Sequence, residues 1–127
     1  MDRSVDILRA VIARLETDLG TTRIYTRVPD KETFPYLVIE LTAEEEFTFS
    51  DAEYIYALRV RAFSKEKTPL EAIQLRSNVF NSLNRQKVML DSGAIIESVS
   101  TNIDLLLEPD HKVFQSFIDF ETSLISS

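Results

Sequence analysis

An α+β fold, with two amphipathic helices packed on one face of a mostly antiparallel β-sheet, is what the patterning of the chain predicts. Three observations carry that expectation. Apolar residues recur at helical spacing over residues 4 to 19 and 68 to 83, strict alternation runs through residues 54 to 63, and the order is helix, strands, helix, strands.

In the first helix Ser4 stands where an N-cap belongs. Ile7, Leu8, Val11, Ile12, Leu15 and Leu19 then fall in one sector at about 100° per residue, with Arg9, Glu16 and Thr17 outside it. Gly20 follows where a left-handed C-cap would sit. The polar face is not enriched in bases, so the helix reads as cover for a sheet and not as a membrane-surface element.

Residues 23 to 42, RIYTRVPDKETFPYLVIELT, place a short sheet-like run, a Pro-bearing polar loop and a second apolar run in succession. Pro29 and Pro35 cannot donate to a ladder, and they bias Val28 and Phe34 toward extended backbone. Asp30, Lys31, Glu32 and Thr33 therefore read as a connection between two strands. Beyond Pro35, Tyr36, Leu37, Val38, Ile39 and Leu41 are interrupted only by Glu40, as suits a strand covered on at least one face.

Residues 53 to 64 put Tyr54, Tyr56, Leu58, Val60 and Ala62 on one face and Ile55, Ala57, Arg59, Arg61 and Phe63 on the other, a long strand with one wetter side. Between the two strands lie residues 43 to 52, a protruding loop or hairpin arm holding Glu44, Glu45, Glu46, Phe47 and Phe49. The acids alone make a solvated tip. Two phenylalanines in polar company hint at a surface to dock against, so a packed hairpin and a partner-contacting arm both stay open.

Thr68, Pro69 and Glu71 form a good start for the second helix, with Thr68 capping, Pro69 in the first helical position and Glu71 closing a capping box. Ala72, Ile73, Leu75, Val79, Phe80 and Leu83 share its apolar side. Arg76 projects into the middle of that sector, where its stem snorkels over the core edge or its head group pairs across an interface; the former is the preferred reading. From Lys87 onward the expectation is β: residues 88 to 90, a turn at Asp91, Ser92 and Gly93, a strand over 94 to 107, a polar loop at 108 to 112 and a last strand. There Phe114, Ile118, Phe120 and Leu124 alternate with Gln115, Asp119, Glu121 and Ser123.

At 127 residues the chain is expected to form one domain over residues 1 to 127, large enough for a core without metal or disulfide staples. Hydrophobic residues at 44% and charged residues at 28% disfavour disordered and collagen-like classes. The lack of Cys removes thiolate nucleophiles and Cys-based zinc sites. No apolar run reaches the roughly 20 residues that span a bilayer, and Met1-Asp2-Arg3 leads into an amphipathic segment, so the expectation is a protein made and kept inside a cell. A net charge of −7 argues against nucleic-acid binding as the main task; the compact basic groups are Arg59 with Arg61 and Lys65 with Lys67.

The lone His111 sits in a loop context beside Asp110 and Lys112, and no serine has a nucleophile-elbow context. Glycine occurs only at positions 20 and 93, which leaves no phosphate-cradling loop. Adjacent glutamates in a strand alternate sides and do not form a preorganised pair. No catalytic, metal or cofactor-binding residue is therefore expected. Interaction residues are the candidates instead: Arg59, Arg61, Arg76, Glu44, Glu45, Glu46, Phe47 and Phe49.

Taken together, the N-terminal amphipathic helix, the Val-Pro and Phe-Pro-Tyr-Leu-Val-Ile segment, the strand ending Arg59-Val60-Arg61-Ala62-Phe63-Ser64, the helix from Thr68-Pro69 and the closing Phe117-Ile118-Asp119-Phe120 resemble the tail-terminator, or tail-completion, proteins of long-tailed bacteriophages and phage-like particles. The resemblance spans nearly the whole chain. It implies a structural virion protein, assembled in the host cytoplasm, that forms a ring, sixfold by expectation, at the head-proximal end of the tail tube. Its implied partners are its own copies, the tail tube protein and a head-tail connector or stopper protein, with DNA passing through the lumen unbound and no membrane or cofactor. The alternatives are a connector or stopper of the same joint and, from another class, a small carboxylate-dependent hydrolase.

Overall fold

Helical-period apolar residues form helices and alternating residues form strands in the computed structural model, which describes residues 3–20, 22–29, 33–45, 54–107 and 113–126. The elements are α1 (Ser4–Leu19), β1 (Arg23–Tyr25), β2 (Tyr36–Glu45), β3 (Tyr54–Ser64), α2 (Leu70–Leu83), β4 (Lys87–Met89), β5 (Ile95–Leu107) and β6 (Phe114–Ser126). The strands make one sheet in the order β1-β2-β3-β6-β5-β4. Every pairing is antiparallel except β1 on β2, which the sequence pattern did not foretell.

Both helices lie on the same face, as expected. Ile7, Val11 and Leu15 of α1 and Ala72, Leu75, Val79 and Leu83 of α2 are buried. They join Leu37 and Ile39, the even-numbered Tyr56 to Ala62 of β3, Ile96, Ile118 and Phe120 in one core. Each large side chain so covered contributes about 1.5–3 kcal/mol. Leu8, Ile12, Leu19 and Phe80 pack at its margin. The helices are also joined by Asp18, whose carboxylate accepts from the buried Ser82 hydroxyl at 2.6 Å and from Arg14 at 3.0 Å.

The predicted caps of both helices need correction, and so does the start of α2. Ser4 is already helical; Arg3 takes the N-cap position without a side-chain cap, and its backbone N–H donates to the Tyr56 hydroxyl at 2.9 Å. Tertiary anchoring on β3 replaces local capping. Helix α2 starts at Leu70, two residues late, with Pro69 as its N-cap residue and Thr68 Oγ1 accepting a long 3.5 Å bond from Leu70 N. The capping box does not close, because Glu71 instead accepts the hydroxyl of the fully buried Ser64 at 2.7 Å. A buried hydroxyl left without a partner is costly, so it draws the carboxylate away from the helix end. Gly20 ends α1 as expected, with φ +65° and its N–H donated to Glu16 O, but its ψ of −113° lies outside the left-handed helical conformation expected of the cap.

The turn at Asp91, Ser92 and Gly93 joins β4 to β5, with Gly93 at φ +91° and Leu90 N bonded to Ala94 O at 2.7 Å. Strand β5 then carries a register shift between Ser100 and Asn102. A bulge of this kind reverses which side chains meet the helices. Before it Ile96 and Ser98 face the core; after it Ile103 stands beside Arg76 and Phe80 of α2. Period-two reading of residues 94 to 107 could not see that reversal.

Among the described residues, the opposite sheet face carries no helix. One end of it is closed by a second cluster, Tyr36, Val38 and Phe63, with Tyr25, Phe34 and Val113 packed around it. The Tyr36 and Phe63 rings stack at 4.8 Å, and the Phe34–Pro35 bond is cis. The expected connection at Asp30, Lys31 and Glu32 and the loop holding His111 lie outside the described residues.

Candidate interface surfaces

Alternation on β2, β3 and β6 sends Glu40, Arg59, Arg61 and Asp119 to the face without helices, and registry puts them side by side. Glu40 is opposite Arg59, and Arg59 is opposite Asp119. Arg59 grips Asp119 with both prongs, Nε to Oδ1 at 2.7 Å and a terminal nitrogen to Oδ2 at 3.0 Å. Its guanidinium also lies 4.4 Å from the centroid of Phe117, covering a ring that is buried although it faces away from the helices. The hydrogen bond to Asp119 raises the Arg59 pKa most; partial burial opposes it, and the charges of Asp119 and Glu40 add to the rise. The cation is held firmly charged.

Arg61 sits on the other flank of Glu40, with Nε 2.6 Å from Oε1, an ion pair whose angle is not that of a hydrogen bond and which leaves the buried Nε without a hydrogen-bond partner. Glu40, Thr42, Arg59, Thr101, Asp119 and Glu121 line a shallow basin of about 370 Å³ there. Of the predicted candidates, then, Arg59 and Arg61 are brought together. Their acidic partners Glu40 and Asp119 escaped sequence reasoning. Glu40 was visible as the polar break in an apolar run, and Asp119 as a polar alternate in the last strand. That β6 returns beside β3 was not.

Arg76 is elsewhere, on the helix side. Its Nη1 donates to the Asp104 backbone carbonyl at 3.1 Å, and the side chain borders a groove of about 360 Å³ with Ser77, Phe80, Asn81 and Ile103. Glu44 and Glu45 belong to β2, their backbones paired with Ile55 and Tyr54. Glu46, Phe47 and Phe49 lie outside the described residues. Among the described residues, no group of three or more His, Cys, Asp or Glu is placed to hold a metal ion, and no helix is long and apolar enough to cross a membrane.

One sheet face is sealed by helices and the other is laced with paired charges. Comparison with protein families gives this arrangement its context: the model of the tail completion protein gp17 family matches residues 8–124. The chain belongs to that family, and its role is structural, in the tail of a phage or phage-like particle. Among solved structures, a chain from the virion of a native gene transfer agent particle shares the fold, with a TM-score of 0.79 and 10% identity over 94% of this chain and 95% of that one. Comparison with curated proteins finds no match.

Proposed function

We propose that copies of this chain close into a ring, sixfold, at the head-proximal end of the tail tube, where the ring ends tube polymerisation and joins the tail to the head connector. The observation that carries this reading is membership of the tail-completion family across residues 8–124. A closed ring bounded by one heterologous interface matches the tube end on one side and does not reproduce the tube subunit's growing surface on the other, so addition stops. The tube protein and the connector or stopper are the partners, and the site of assembly is the host cytoplasm. Charge pairing supports free passage of DNA: the carboxylates of Asp119 and Glu40 offset the charges of Arg59 and Arg61, which lessens the attraction of this pair for phosphate.

A particle-producing strain without this protein tests the proposal. It should make filled heads, accumulate tails of unregulated length that fail to join, and recover when purified protein is added and seen by negative-stain microscopy at tube ends. Tails of normal length already joined to heads rule termination out. Normal-length tails left unattached assign the protein to the connector instead.

A further inference from the structure

The groove beside Arg76 is chemically incomplete. The bulge in β5 turns Ile103 toward α2 yet leaves it 44% exposed, next to a half-buried Phe80. Arg76, at the rim, spends one bond on a backbone carbonyl and has no carboxylate partner among the described residues. An apolar floor with an unneutralised guanidinium at its edge suits an aromatic side chain flanked by an acid.

The chain contains such a segment. Residues 43 to 53, AEEEFTFSDAE, carry five acids, no base, and Phe47 and Phe49. Within one copy this segment falls short of the groove. Ile103 aligns through Ile118 with Val60, six residues along β3 from Tyr54, where the β2–β3 ladder ends. Six residues of strand measure roughly 20 Å. The connection from 46 to 53 can extend only about four residues, roughly 14 Å, from the ladder end before it must return. The segment and the groove also lie two strands apart, across β6.

We propose that the α2–β5 groove is the seat for residues 46–53 of a second copy, with a phenyl ring of Phe47 or Phe49 on Phe80 and Ile103 and an adjoining carboxylate on Arg76. Each copy thereby completes its neighbour's groove and offers its own to the next, a head-to-tail contact that can close a ring. The inference rests on the ring reading, since it needs a second copy.

The absence of Cys from the chain makes the test direct. Phe47→Cys and Phe49→Cys chains are each mixed with a size-tagged Asn81→Cys chain, oxidised and resolved by mass, while sedimentation of the unmodified protein reports its assembly. Asn81 is exposed, so its variant should fold. At least one pairing should give a disulfide between the two different chains. That product should fall at least tenfold when the Asn81→Cys chain also carries Arg76→Glu, and partly with the milder Arg76→Met. An assembled protein that yields no cross-link from either position overturns the seat and leaves the ring standing. A protein monomeric at every concentration overturns both. A disulfide formed within one chain that carries both cysteines overturns the seat as well.

Discussion

Along β3, Leu58 and Arg59 are neighbours that meet two different environments. Leu58 is 1% exposed, opposite Leu41 and Phe120 beneath the helices; Arg59 faces out between Glu40 and Asp119. Burial holds the first face. Pairing geometry holds the second, where the side chain of Arg59 stays 40% exposed and that of Asp119 24%. Exposed ion pairs are worth little to stability, about 0.2–1 kcal/mol, so the open face can change its charges without unfolding the sheet. The helix face cannot change so freely.

The division breaks most severely at α1. Leu15 is fully buried, and Leu15→Asp puts an unpaired carboxylate into the core, so little soluble folded protein is expected by circular dichroism and yield. Leu8 is only half-buried, and Leu8→Asp should be the milder of the two. Equal, normal melting of both would show that α1 does not seal this face.

A more graded test compares neighbours on one strand. Leu58→Ala should cost about 2–5 kcal/mol through lost burial and a cavity. Arg59→Met, which keeps the stem over Phe117, should cost about 1 kcal/mol or less. Chemical denaturation measures both, and similar losses would mean that the open face carries more of the fold than its exposure suggests. Exchanging the pair as Arg59→Asp with Asp119→Arg sharpens the point: the double variant should recover most of what either single change loses, with no recovery if Phe117 stacking dominates. The smallest effect belongs to Arg9→Ala, an exposed position on α1, expected within about 0.5 kcal/mol of the parent in the same melts.

Much of this was legible beforehand for a physical reason. Helix and strand periods are local, so α1 appeared with its observed bounds, and Tyr56, Leu58, Val60 and Ala62 were already assigned to one face. Helix caps were less legible, since Arg3 is anchored by Tyr56 and Glu71 is drawn off by Ser64, both through tertiary contacts.

By itself, the sequence determined two amphipathic helices, the alternating strands, the turn at Gly93 and a family pattern spread along the chain, because each depends on neighbours a few residues apart. Only the tertiary structure decided which strands lie together. The return of β6 between β3 and β5 made Asp119 the partner of Arg59, and the parallel β1 extended the sheet beyond β2. A one-residue bulge in β5 brought Ile103 to Arg76. Pairings across some 60 residues and the shift of register at Ser100 depend on how the whole sheet closes, and no local period encodes either.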